Sequence, residues 1–157
     1  MGRPKMTASK APLTLVDHDE ADEIYHLQDQ VGFVLRKAHQ RHLSIFASRI
    51  ADLTPPQFAA LARLHEVGET SQNQLGQMIA MDAATVKGVI DRLKSRGYVD
   101  LKKHETDKRL LLVSLTAAGR KAIEQLIPLA KAITGETLAP LSAREAAQFL
   151  RLLAKIA

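Results

Sequence analysis

From Ile24 to about Arg49, apolar residues return every three or four positions, at Leu27, Val31, Val34, Leu35, Ala38, Ile45 and Phe46, with His42 on the same stripe. A 3.6-residue period uninterrupted by proline predicts one long amphipathic helix. The pattern stops before Leu53-Thr54-Pro55-Pro56, where Thr54 is placed to cap a second helix and Pro55 to open it. That helix is expected over Pro55–Val67, burying Phe58, Leu61, Ala62 and Leu64 and ending at Gly68. Ser71 followed by Gln74 three residues later is a capping box for a third helix reaching Ala80. Asp82 then caps a fourth, Ala83–Arg96, with Val86, Val89, Ile90 and Leu93 facing inward and Gly97 as a left-handed stop.

The period changes after Gly97. Tyr98–Lys103 and Leu110–Leu115 flank the polar run His104-Glu105-Thr106-Asp107-Lys108-Arg109, which predicts a β-hairpin with a charged tip. Thr116 is placed to cap a fifth helix to about Thr137, and Ser142 with Glu145 a sixth through Ala157. Helices in close succession followed by a hairpin describe a mainly α fold with a small β-hairpin wing, a winged helix-turn-helix whose reading helix is Ala83–Arg96. Residues 1–22, basic and then acidic, read as a flexible arm, and 23–157 as a single domain.

Composition narrows the chemistry. The 157 residues include no cysteine, which excludes disulfides, thiolate zinc sites, cysteine nucleophiles and thiol-based redox sensing. No run of 18 apolar residues exists, and the basic N-terminal stretch lacks the apolar core of a secretory signal, so a cytoplasmic protein without membrane contact is expected. No glycine-rich phosphate loop, nucleophile elbow or HExxH motif is present; neither catalysis nor a cofactor is expected. His39 and His42 lack a third ligand at a recognised spacing, so no metal site is expected. With no Trp, two Tyr and four Phe, there are few rings on which to stack single-stranded bases.

The net charge of +5 is concentrated. Ser71–Lys121 holds ten basic and five acidic residues, whereas the rest of the chain holds twelve of each. A positive segment built on helix-turn-helix and wing points to a polyanion, double-stranded DNA. The inward stripe of the fourth helix leaves Ala84, Thr85, Lys87, Gly88 and Arg92 outward. Small residues permit close approach, the Thr85 methyl can meet a thymine methyl, and Lys87 can donate to guanine or phosphate. On the hairpin, Lys108 and Arg109 are the cations, Arg109 suited to a minor groove, and Asp107 is expected to brace the Arg109 side chain. The other reading of these elements is a winged-helix module that binds proteins and not specific DNA.

The run Asp107-Lys108-Arg109-Leu110-Leu111-Leu112-Val113-Ser114-Leu115-Thr116-Ala117-Ala118-Gly119 resembles the wing of the MarR (multiple antibiotic resistance regulator) family. Leu53-Thr54-Pro55-Pro56-Gln57-Phe58 is similar to that family's second-helix entry, and Thr85–Leu93 with Gly97-Tyr98-Val99 to its reading helix and exit. The chain departs at Gly88, where relatives often carry a longer polar residue. The resemblance covers about residues 24–157. It implies a homodimeric regulator, usually a repressor, on a pseudo-palindromic operator, with winged helix-turn-helix 54–116 and dimerisation helices 24–49 and 117–157. The surplus of apolar residues in the last two helices, Phe149, Leu150, Leu152 and Ile156 among them, agrees with a dimer core.

The resemblance further implies a small effector, often an aromatic carboxylate, bound between dimer core and DNA-binding lobe. The expected site lies on the first helix, where Arg36, His39 and His42 could clasp a carboxylate with Phe33 or Phe46 packed on its ring, and Tyr25 belongs to the same set.

Overall fold

The computed structural model describes residues 25–157, so the N-terminal arm lies outside the described residues. In chain order the elements are α1 (Val31–Arg49), α2 (Pro55–Val67), β1 (Thr70–Ser71), α3 (Gln72–Met78), α4 (Ala83–Ser95), β2 (Val99–Lys103), β3 (Leu111–Leu115), α5 (Ala117–Leu138) and α6 (Ala143–Leu153). No helix of the described residues is long and apolar enough to cross a membrane.

The predicted caps are present. Thr54, Ser71 and Ser142 each close a capping box with Gln57, Gln74 and Glu145, and Asp82 and Thr116 cap α4 and α5. Each such cap contributes about 1 kcal/mol by pairing an amide the helix cannot pair itself. Gly97 adopts φ +73°, the left-handed turn that ends α4 and starts β2.

Several expectations needed correction, among them the sixth helix, which ends at Leu153 and not at Ala157. The first helix starts at Val31: a single 3-10 turn, Leu27–Asp29, precedes it, and extended Gln30 (ψ 128°) separates the two. The apolar spacing ran across this break because Leu27 and Val31 are four residues apart on both sides of it. The hairpin is also not alone. β1, only two residues long, pairs antiparallel with β3 (Thr70 with Val113, Ser71 with Leu112), giving a three-stranded sheet in the order β1-β3-β2. Finally, α3 stops at Met78 and not Ala80, and Ala80 takes φ 54° in the turn that leads to α4.

One core joins these elements. Leu61 and Leu64 of α2, Leu75 of α3 and Leu93 of α4 are shut from water, with Val113 of β3 and Ile123 of α5 closing the cluster. Full burial of such side chains is worth roughly 1.5–3 kcal/mol each, which is how a 3.6-residue stripe on every helix becomes a fixed packing. α1 is tied to α5 by polar contacts: Arg41 donates to the Glu136 carbonyl oxygen at 2.9 Å, Arg49 bridges the Glu136 carboxylate at 2.7 Å, and His42 Nδ1 meets Thr137 Oγ1 at 3.1 Å. α6 buries no residue.

Candidate nucleic-acid interface

α4 divides cleanly between two environments. Val86, Val89, Ile90 and Leu93 are buried, while Ala84, Thr85, Lys87, Gly88 and Arg92 stand in solvent. The Asp82 cap fixes the start of this surface: its carboxylate accepts the Thr85 N–H at 2.8 Å and the Thr85 hydroxyl at 2.7 Å, and these hydrogen bonds hold its carboxyl below the ordinary value. Lys87 donates to Asp91 at 2.6 Å, one turn further on. Both partners are exposed, so the pair is worth at most about 1 kcal/mol and can exchange for a phosphate. An ideal Cβ on Gly88 meets nothing within 4 Å, so the middle of the exposed face is flat.

The end of α4 is anchored to the rest of the fold. Arg96 donates to the Asp52 carbonyl oxygen in the α1–α2 connection and lies 5.3 Å over the Tyr98 ring. Thr116 Oγ1 donates to the Gly97 carbonyl oxygen at 2.6 Å and accepts the Gly119 N–H at 3.0 Å, linking the exits of α4 and of the hairpin.

At the hairpin tip Asp107, Lys108 and Arg109 are exposed. Asp107 does not brace the Arg109 side chain as the sequence suggested. Its Oδ1 accepts the Arg109 backbone N–H at 3.0 Å, because two residues of separation suit an Asx turn better than an ion pair. Among the described residues no carboxylate bridges the Arg109 guanidinium. Arg109 borders a small hollow of about 70 Å³ shared with Ser71, Gln72 and Asn73, which sets the tip beside the start of α3.

This arrangement has known counterparts. A MarR family model matches residues 51–110. The HTH-type transcriptional repressor NicR of Pseudomonas putida is 38% identical over 154 residues, 97% of this chain and 93% of that protein. The chain belongs to the MarR family of transcriptional regulators. Among solved MarR-like structures, a probable transcriptional regulator from Pseudomonas aeruginosa is 48% identical with TM-score 0.81, covering 84% of this chain and all of that one. BpsR of Bordetella bronchiseptica, solved to explain regulation of its DNA binding by 6-hydroxynicotinic acid, is 39% identical with TM-score 0.82, covering 85% and 97%.

The six residues expected to form an effector site in this MarR-family chain do not line one common hollow. Tyr25 and Phe33 line one surface hollow, His39 and His42 line another between α1, α5 and α6, and Arg36 sits 5.4 Å over the Phe33 ring. Phe46 is buried in the core, in edge contact with Phe58 at 6.0 Å, so it is not available to a ligand. A helical stripe aligns residues by angle alone and does not reveal which neighbour covers each turn. A separate cavity of about 260 Å³, which the sequence did not indicate, lies at the junction of the α1–α2 connection, Tyr98 and α5. Arg49, Asp52, Tyr98 and Gln125 are its polar lining, so one cation and one carboxylate border it. Among the described residues no group of three or more His, Asp or Glu side chains could hold a metal ion.

Proposed function

We propose that this regulator acts as a homodimeric repressor that reads a pseudo-palindromic operator and is released from it by a small aromatic carboxylate. The observation that carries the reading is α4: an apolar stripe wholly buried, and an opposite face of small residues and cations, with Asp91 paired to Lys87, wholly exposed, next to a wing that exposes Arg109. Such a helix can approach base edges closely, and the wing can supply a guanidinium to a narrow minor groove.

A second copy is the natural cover for the far end of the molecule. Phe149, Leu150, Leu152 and Ile156 of the α6 region and Val31 and Val34 of α1 are all exposed. Contiguous apolar surface of this kind supports a two-fold partner, which would present two reading helices about one DNA turn (~34 Å) apart.

For the effector, the relationship to BpsR supports 6-hydroxynicotinic acid or a close monocyclic acid. The junction cavity suits one ring; Arg49 supplies a cation for the carboxylate, and Asp52 an acceptor for a ring hydroxyl or N–H. An incoming carboxylate would compete with Glu136 for Arg49, loosening the tie between α1 and α5. Tyr98 places the same cavity next to the exit of α4.

The test is a fluorescence-anisotropy titration of duplex selected from a random library, run across salt with and without 6-hydroxynicotinate. Affinity that falls with salt and with the acid supports the reading. Release abolished in Arg49→Ala places the effector at the junction, whereas release abolished in His39→Ala places it on α1. Binding that shows neither sequence preference nor salt dependence refutes the repressor reading.

A further inference from the structure

We propose that His104 is a positioning residue of the wing, its neutral imidazole holding the turn that presents Arg109, and its protonation releasing that turn. In the sequence His104 opens the polar run of the hairpin tip. In the structure its Nδ1 lies 3.3 Å from the backbone nitrogen of Thr106, 3.3 Å from that of Asp107, and 3.1 Å from the Thr106 hydroxyl. Both backbone groups are donors, so Nδ1 is the bare nitrogen of the ring and the proton sits on Nε2. The Thr106 hydroxyl then donates as well.

The tip is therefore a chain of two caps. His104 holds the Asp107 N–H, and Asp107 in turn holds the Arg109 N–H at 3.0 Å. Two backbone bonds close the loop beneath them, His104 N–H to the Leu110 carbonyl oxygen and Leu110 N–H to that of Asp107, both at 3.0 Å. His104 thus acts on Arg109 through Asp107, without touching it.

A proton on Nδ1 replaces the acceptor with a donor that faces two other donors, so the upper cap is lost as pH falls. The charged residues beside it along the wing are Lys102, Lys103, Glu105, Asp107, Lys108 and Arg109, of which Lys102 bridges Glu69 at 2.9 Å. The segment beside Arg109 offers the uncharged Ser71, Gln72 and Asn73.

The link to DNA rests on the proposed repressor function, whereas the cap itself does not, and two measurements separate them. In ¹⁵N-labelled full-length protein without DNA, the Thr106 and Asp107 amide resonances should move with the His104 ring titration in the wild type. In His104→Asn, which keeps an acceptor without a titrating group, they should stay fixed. Amides that ignore the ring titration overturn the proposal. At pH 8, His104→Ala should weaken binding to a duplex selected by the wild type by about five-fold, the loss of one hydrogen bond, and His104→Asn should restore it. Wild-type affinity in the Ala variant also overturns the positioning role. If the wild type selects no duplex, the repressor reading fails and the amide titration decides the proposal alone.

Discussion

A methyl group on Gly119 would stand 1.9 Å from the carbonyl oxygen of Tyr98. The first turn of α5 thus lies directly on the backbone that leaves α4, and Thr116 fastens the two by bonding Gly97. Since the obstacle is backbone, no rotamer change relieves it. Gly119→Ala should destabilise the protein by about 1–3 kcal/mol, in the range of overpacked sites. Urea unfolding measures this, and an unchanged midpoint would mean that the α5 start shifts freely.

The wing prediction follows from where Asp107 points. Arg109→Ala should weaken operator binding by roughly 1–3 kcal/mol and leave the unfolding midpoint unchanged. Asp107→Asn keeps an acceptor for the Arg109 N–H and should cost less affinity than Asp107→Ala. Equal losses in the two Asp107 variants would show that the negative charge, and not the turn, is what matters.

Gly88 separates stability from recognition. An added methyl meets nothing, so Gly88→Ala should stabilise α4 by about 1 kcal/mol through helix propensity alone. If the flat centre of the helix is where DNA comes closest, the same variant should bind operator more weakly. A rise in both melting temperature and affinity would place DNA elsewhere on the helix.

Asp82 gives the fold an acid-sensitive cap. Its hydrogen bonds to the Thr85 N–H and hydroxyl hold its carboxyl below the ordinary 3.8. With the folded value below the unfolded one, the stability it lends is complete above 3.8 and is lost as pH falls through that value towards the depressed one. Urea midpoints from about pH 6 down to 2.5 should therefore drop further for wild type than for Asp82→Asn, whose acceptor does not titrate. Parallel profiles would remove Asp82 as the source.

The winged helix-turn-helix and the family were legible in the sequence because their signals are local. Thr54, Ser71, Asp82, Thr116 and Ser142 each mark a helix start within four residues, and the α4 stripe alone separates its buried from its exposed residues. What failed depended on partners far along the chain. β1 is two residues long and exists only because Val113 and Leu112 pair with it. Phe46 shares the α1 stripe with His39 and His42, yet Phe58 of α2 covers it. The junction cavity draws its lining from residues 49 to 129 and has no motif at all. His104 was legible as a residue type but not as a cap, since the conformation of residues 104–107 decides where its nitrogen lies.

The short strand β1 also constrains how such a molecule can be regulated. Because Ser71 both pairs with Leu112 and caps α3, the hairpin and the helix-turn-helix share a residue and cannot hinge against each other there without breaking a sheet and a cap together. Each half of the proposed dimer then carries its reading head as a single casting. An effector has little leverage over the shape of either head; its work is done on the span between them.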